Sequence, residues 1–120
     1  MAAYTTIDDA GSFYNTLLYT GTGSSNVLTG VGFQSDLIWT ATRNTTEIRP
    51  INSSVSGISN YLRSNANDTL ETSSSETITA QSSDGYTVGT EDRFNQSSNT
   101  FVSWNWKMGT TSGLSGGTIT

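Results

Sequence analysis

A chain of 120 residues with five Lys and Arg against ten Asp and Glu, net charge −5, has room for one domain around a single core and not for two. Its few cations (Arg43, Arg49, Arg63, Arg93 and Lys107) are dispersed, which argues against a nucleic-acid or anionic-membrane surface, since those partners need clustered positive charge. The chain has neither His nor Cys, which excludes disulfides, thiolate chemistry, Ser-His-Asp and Cys-His catalysis and an ordinary zinc site.

Charged residues make up only 12% of the chain, and hydroxyls and amides fill the gap: 19 Ser, 21 Thr and 10 Asn, with 12 Gly. This composition suits strands and turns far better than helices. An aromatic content of 10% with a modest net charge marks a folded domain and not a disordered one.

Residues 1–12 read as an extended amino-terminal arm. The start MAAYTTIDDAGSF has no basic segment followed by an apolar one, so no signal peptide is expected, and the chain is expected to be made and first folded in a cytosol. Phe13 to Thr20 predicts the first strand, ended by the turn Gly21 to Asn26. Gly30, Gly32 and Phe33 lead into a second strong strand over Asp36 to Thr42, in which Leu37, Trp39 and Ala41 share one face and Ile38 takes the other. Glu47 to Ile51 and Val55 to Leu62 alternate more weakly. Pro50, the only proline, predicts an edge or a bend because it cannot donate to a ladder. Ser64 to Glu76 reads as a long exposed loop. Thr77 to Ser82 and Tyr86 to Val88 follow as two short strands around the turn Ser83-Asp84-Gly85, and Glu91 to Asn99 is a polar connection. Residues 110–120 are a Gly, Ser and Thr tail with the composition of a linker, which leaves residues 13–109 as the domain.

Thr100 to Gly109, TFVSWNWKMG, carries the clearest strand signature: Val102, Trp104, Trp106 and Met108 alternate with Phe101, Ser103, Asn105 and Lys107. The expectation is that the tryptophan set, with Leu37 and Trp39, forms the structural core, and that the mainly polar set faces water. Tyr61, Tyr86 and Phe94, beside predicted loops, are then the candidates for exposed binding contacts. About eight short strands without helical periodicity predict an all-β fold, a two-sheet antiparallel β-sandwich or jelly roll.

Signals for chemistry are weak. The neighbouring acids Asp8-Asp9 and Glu91-Asp92 diverge on a strand and read as solvated turn charges, not as a glycosidase pair. No Asp-x-Asp loop is present; Asp36, Asp68 and Asp84 are acids that, with backbone carbonyls, suit calcium, but the expectation is no metal and no cofactor. Gly30-Val31-Gly32-Phe33 lacks the crossover helix of a dinucleotide fingerprint and suits a bulge or tight bend. Sequons at Asn44, Asn52, Asn67 and Asn95 match the density that so much Ser and Thr produces by chance.

Five phrases in order, YTTIDDAGSFYNTLLYTG, GVGFQSDLIW, SSVSGISNYLRSN, DGYTVG and TFVSWNWKMG, resemble a β-sandwich module of virion proteins in marine tailed bacteriophages. That module is commonly tail-fibre or tail-associated and is likened to concanavalin-type and SPRY-type sandwiches. The chain departs from the pattern at Ala10 and Ser35, where Pro is usual, and at Ser56, where Arg is usual. The resemblance implies a concanavalin-like fold, no catalytic residues, a place in the virion after assembly in the host cytoplasm, and attachment of a tail fibre or similar appendage to the particle. Its partners are then other tail or capsid proteins and copies of itself, with a trimer as the natural fibre state. A carbohydrate-binding module touching host glycan and a capsid decoration protein are the alternatives.

Overall fold

The computed structural model describes residues 9–72 and 75–108. The predicted arm and linker lie largely outside them: of the arm, residues 9–12 are described, and of the tail, none. A single 3₁₀ turn, Ala10–Ser12, capped by the Asp9 carboxylate accepting the Gly11 N–H at 3.0 Å, leads directly into the first strand.

Eight strands follow: β1 (Tyr14–Thr20), β2 (Asn26–Thr29), β3 (Leu37–Thr42), β4 (Pro50–Ser53), β5 (Tyr61–Arg63), β6 (Ile78–Ser82), β7 (Gly85–Val88) and β8 (Thr100–Trp106). A one-turn helix α1 (Asp92–Asn95) precedes β8. The strands form two antiparallel sheets, a five-stranded one in the order β1-β8-β3-β4-β5 and a three-stranded one in the order β2-β7-β6. The fold is therefore an all-β, two-sheet antiparallel β-sandwich. β2 lies between the expected turn Gly21 to Asn26 and the glycines at 30 and 32, where the sequence predicts no strand. Pro50 stands in an interior strand and not at an edge, but as the first residue of β4, where a missing N–H costs the ladder least.

The core lies between the sheets and is built by Leu28, Val31, Phe33, Ile38, Tyr61, Ile78, Tyr86, Val88 and Phe94. Burial of apolar surface here is the main stabilising term. The inward face of β8 is Phe101, Ser103 and Asn105, all 0% exposed, while Val102, Trp104 and Trp106 lie outward and half-buried. This reverses the expected phase of the strand. Leu37 and Trp39 likewise lie half-buried on the outer face, and Met108, just beyond β8, is 53% exposed.

The reversal has a physical reason in hydrogen bonding. A buried amide or hydroxyl is costly only when it lacks partners, and these have them. Ser35 Oγ donates to Asn105 Oδ1 at 3.2 Å, Asn105 Nδ2 donates to Ser103 Oγ at 3.1 Å and to the Asn15 carbonyl at 3.3 Å, and the Tyr86 hydroxyl donates to Ser103 Oγ at 2.7 Å. Ser35 thus supplies a hydroxyl to this seam.

The GVGF segment is a bend of the kind its glycines suggest. Gly30 and Gly32 adopt φ of 95° and 87°, a region costly for other residues. This conformation presents their N–H groups to the Asp84 carboxylate at 3.1 and 2.7 Å, tying the tip of the β6–β7 hairpin to the β2–β3 loop.

Candidate functional site

The outward face of the five-stranded sheet assembles from residues that alternate along every strand. One row runs Leu62, Ile51, Trp39, Trp104, Thr16 across β5, β4, β3, β8 and β1, and the next runs Ser53, Leu37, Trp106, Tyr14. Cross-strand neighbours on one face stand close enough for ring contact. Trp39 and Trp104 meet at 5.1 Å between ring centroids with planes tilted 45°, and Tyr14 and Trp106 at 5.3 Å and 48°. These tilted pairs are favourable geometries for aromatic quadrupoles.

The rings are held from behind and from the side. Trp39 Nε1 donates to Ser64 Oγ at 3.2 Å, and Ser64 Oγ donates to the Arg49 carbonyl at 2.8 Å, which fixes the indole beside β5. Asp36 accepts from Ser54 Oγ at 3.1 Å and from the Met108 N–H at 3.0 Å, joining the starts of the β3 and β4–β5 segments to the end of β8. None of the outward residues of the five strands carries a charge. Tyr14, Leu18 and Leu62 are 39%, 58% and 48% exposed. The surface is aromatic and uncharged, and suited to packing against another surface.

The three expected contact residues lie elsewhere. Tyr61, Tyr86 and Phe94 are 3%, 1% and 0% exposed. Phe94 packs edge-on against Tyr61 at 5.6 Å, and the Tyr61 hydroxyl accepts from Arg93 Nη1 at 2.7 Å. Tyr61 in β5 and Tyr86 in β7 stand on the inner faces of their sheets, and α1 carries Phe94 into the same core. Burial also pushes the Tyr86 phenol far above its ordinary range, partly offset by the bond to Ser103, and does the same for Tyr19, with Tyr86 nearby adding to it. The residues expected in the core thus lie on or beside the outer face, and the three expected at the surface belong to the core.

Among the described residues no three acidic side chains converge on a point that would hold a metal, and no pocket opens. Asp36 and Asp84 are engaged with the backbone and hydroxyl donors already named, and Asp68 pairs with Arg63 at 2.8 Å.

Fold and face together define a small all-β sandwich module with an aromatic outer face and, among the described residues, no cleft. The chain belongs to the DUF7483 family, a domain of unknown function, which matches residues 9–120. No curated protein and no solved structure matches it.

Proposed function

We propose that this chain is a non-enzymatic structural module of a tailed-bacteriophage virion, serving in a tail fibre or similar appendage and meeting neighbouring virion proteins through the outer face of its five-stranded sheet. The observation that carries this reading is the uncharged aromatic surface built by Tyr14, Trp39, Trp104 and Trp106. Half-buried tryptophans without charge among them are typical of the centre of a protein–protein contact. The five-phrase likeness to phage virion modules supplies the particle.

A cryo-electron microscopy map of the intact particle tests it. The expected result is density for this chain in the appendage with the tryptophan face against a neighbour. Density on the capsid shell would make it a decoration protein, and a particle lacking the chain would overturn the reading.

The same half-exposed rings favour one second reading, a carbohydrate-binding module that contacts host glycan, because indole faces stack on sugars as readily as on protein. With Tyr61 and Tyr86 in the core, that role falls to Tyr14 and Trp106. Glycan-array binding that disappears in Trp106→Ala would support it, and a silent array would count against it.

A further inference from the structure

Among the described residues β1 is the outermost strand of the five-stranded sheet, and no described strand pairs with its other side. The Lys107 N–H donates to the Phe13 carbonyl at 2.7 Å and the Gly21 N–H to the Asn99 carbonyl at 2.8 Å. In an antiparallel ladder this phase turns the backbone groups of residues 13, 15, 17, 19 and 21 toward β8, and those of Tyr14, Thr16, Leu18 and Thr20 away from it. Two of the outward groups are capped: Asn15 Oδ1 accepts the Thr16 N–H at 2.9 Å, and Asn26 Nδ2 donates to the Thr20 carbonyl at 3.3 Å. Among the described residues none bonds the outward backbone groups of Tyr14 or Leu18.

The other sheet edges are guarded in the ways edge strands usually are. β5 has three residues and is flanked by Glu71, whose N–H and carbonyl bond those of Tyr61 at 2.9 and 3.0 Å. β2 has four residues, and β6 carries a bulge between Ile78 and Ala80. β1 has seven residues in unbroken register, with no charge, no proline and no bulge.

We propose that β1 pairs antiparallel with β1 of a second copy of this chain, about a two-fold axis at Thr16, to make a continuous ten-stranded sheet. In that register Tyr14 lies opposite the partner's Leu18. The uncapped backbone groups of each then satisfy the other's, twice by symmetry. The side chains match too, since an exposed tyrosine and an exposed leucine on the outer face become cross-strand neighbours. An acidic chain meets its own copy best where neither contributes a charge, and residues 13–25 contain none. The pairing goes beyond the virion reading and stands apart from it: a failed pairing leaves the particle map unaffected, and the reverse holds as well.

Sedimentation of the full chain at several hundred micromolar tests the pairing. The expected mass is twice the 12.8 kDa of one chain, with Leu18→Lys halving it at unchanged circular dichroism and Leu62→Lys, at the far margin of the same face, leaving the dimer intact. The chain has no cysteine, so Thr16→Cys gives a single thiol. A short bismaleimide is expected to link it into a covalent dimer, and to leave Leu62→Cys unlinked. A monomeric or trimeric wild-type mass, or a dimer that survives Leu18→Lys and cross-links through Leu62→Cys, would overturn the proposal.

Discussion

The Tyr86 hydroxyl crosses the sandwich to donate to Ser103 Oγ at 2.7 Å, joining β7 of the small sheet to β8 of the large one. This bond is one of those that hold the Ser103 side of β8 in the interior. With Ser103 committed inward, Phe101 and Asn105 follow on the same face and the tryptophans are turned out.

Alkaline stability follows from the same phenol. Burial holds Tyr86 and Tyr19 protonated well above the ordinary phenolic range, so their folded pKa values exceed the unfolded value of about 10. Their contribution is fully present below about pH 10 and is lost as pH rises toward the folded values. Chemical denaturation across pH is expected to show no tyrosine-linked change near neutrality and a fall above about pH 10. Absorbance at phenolate wavelengths should show both groups ionising only as the chain unfolds, a delayed step absent from the Tyr19→Phe, Tyr86→Phe double variant.

Asn95 is the second polar anchor. It is fully buried; its Oδ1 accepts the Thr22 N–H at 2.9 Å while its Nδ2 donates to the Gly89 carbonyl at 2.7 Å and to the Ser24 carbonyl. It therefore ties the β1–β2 turn to the β7–α1 connection. Asn95→Ala strands several buried groups at once and is expected to cost about 2–4 kcal/mol, read as a lower denaturation midpoint at unchanged slope. Asn95→Asp keeps the acceptor for Thr22 but sets negative charge against two carbonyls, so it should not rescue.

Thr40 offers the opposite case. It is 0% exposed on the inner face of β3, and its hydroxyl has no hydrogen-bond partner among the described residues. Thr40→Val removes that desolvated hydroxyl at nearly the same volume and is expected to stabilise the chain by about 1 kcal/mol, measured by denaturant midpoint.

Strand positions were legible in the sequence wherever alternation was strong. The strands expected at Phe13 to Thr20, Asp36 to Thr42 and Thr100 onward appear as β1, β3 and β8, and the residues expected to share a face do share it. Which face looks inward was not legible. Alternation defines two sides, and choosing between them rests on the premise that amides and hydroxyls belong to water. Asn105 and Ser103 break that premise because Ser35, Asn15 and Tyr86, far away in sequence, supply their partners. The outer face was missed for the same reason, though its ingredients, Trp39, Trp104 and Trp106, had already been grouped together. β2 was missed because four residues, only one of them buried, leave too little pattern.

Hydroxyl-radical footprinting of the native chain, read residue by residue by mass spectrometry, tests the outward orientation of the tryptophan face most directly. The account predicts labelling at Tyr14, Leu18, Trp39, Trp104, Trp106 and Leu62, with Tyr61, Tyr86, Phe94 and Phe101 protected until denaturant is added. Protection of the three tryptophans with labelling of Tyr61, Tyr86 and Phe94 would contradict it.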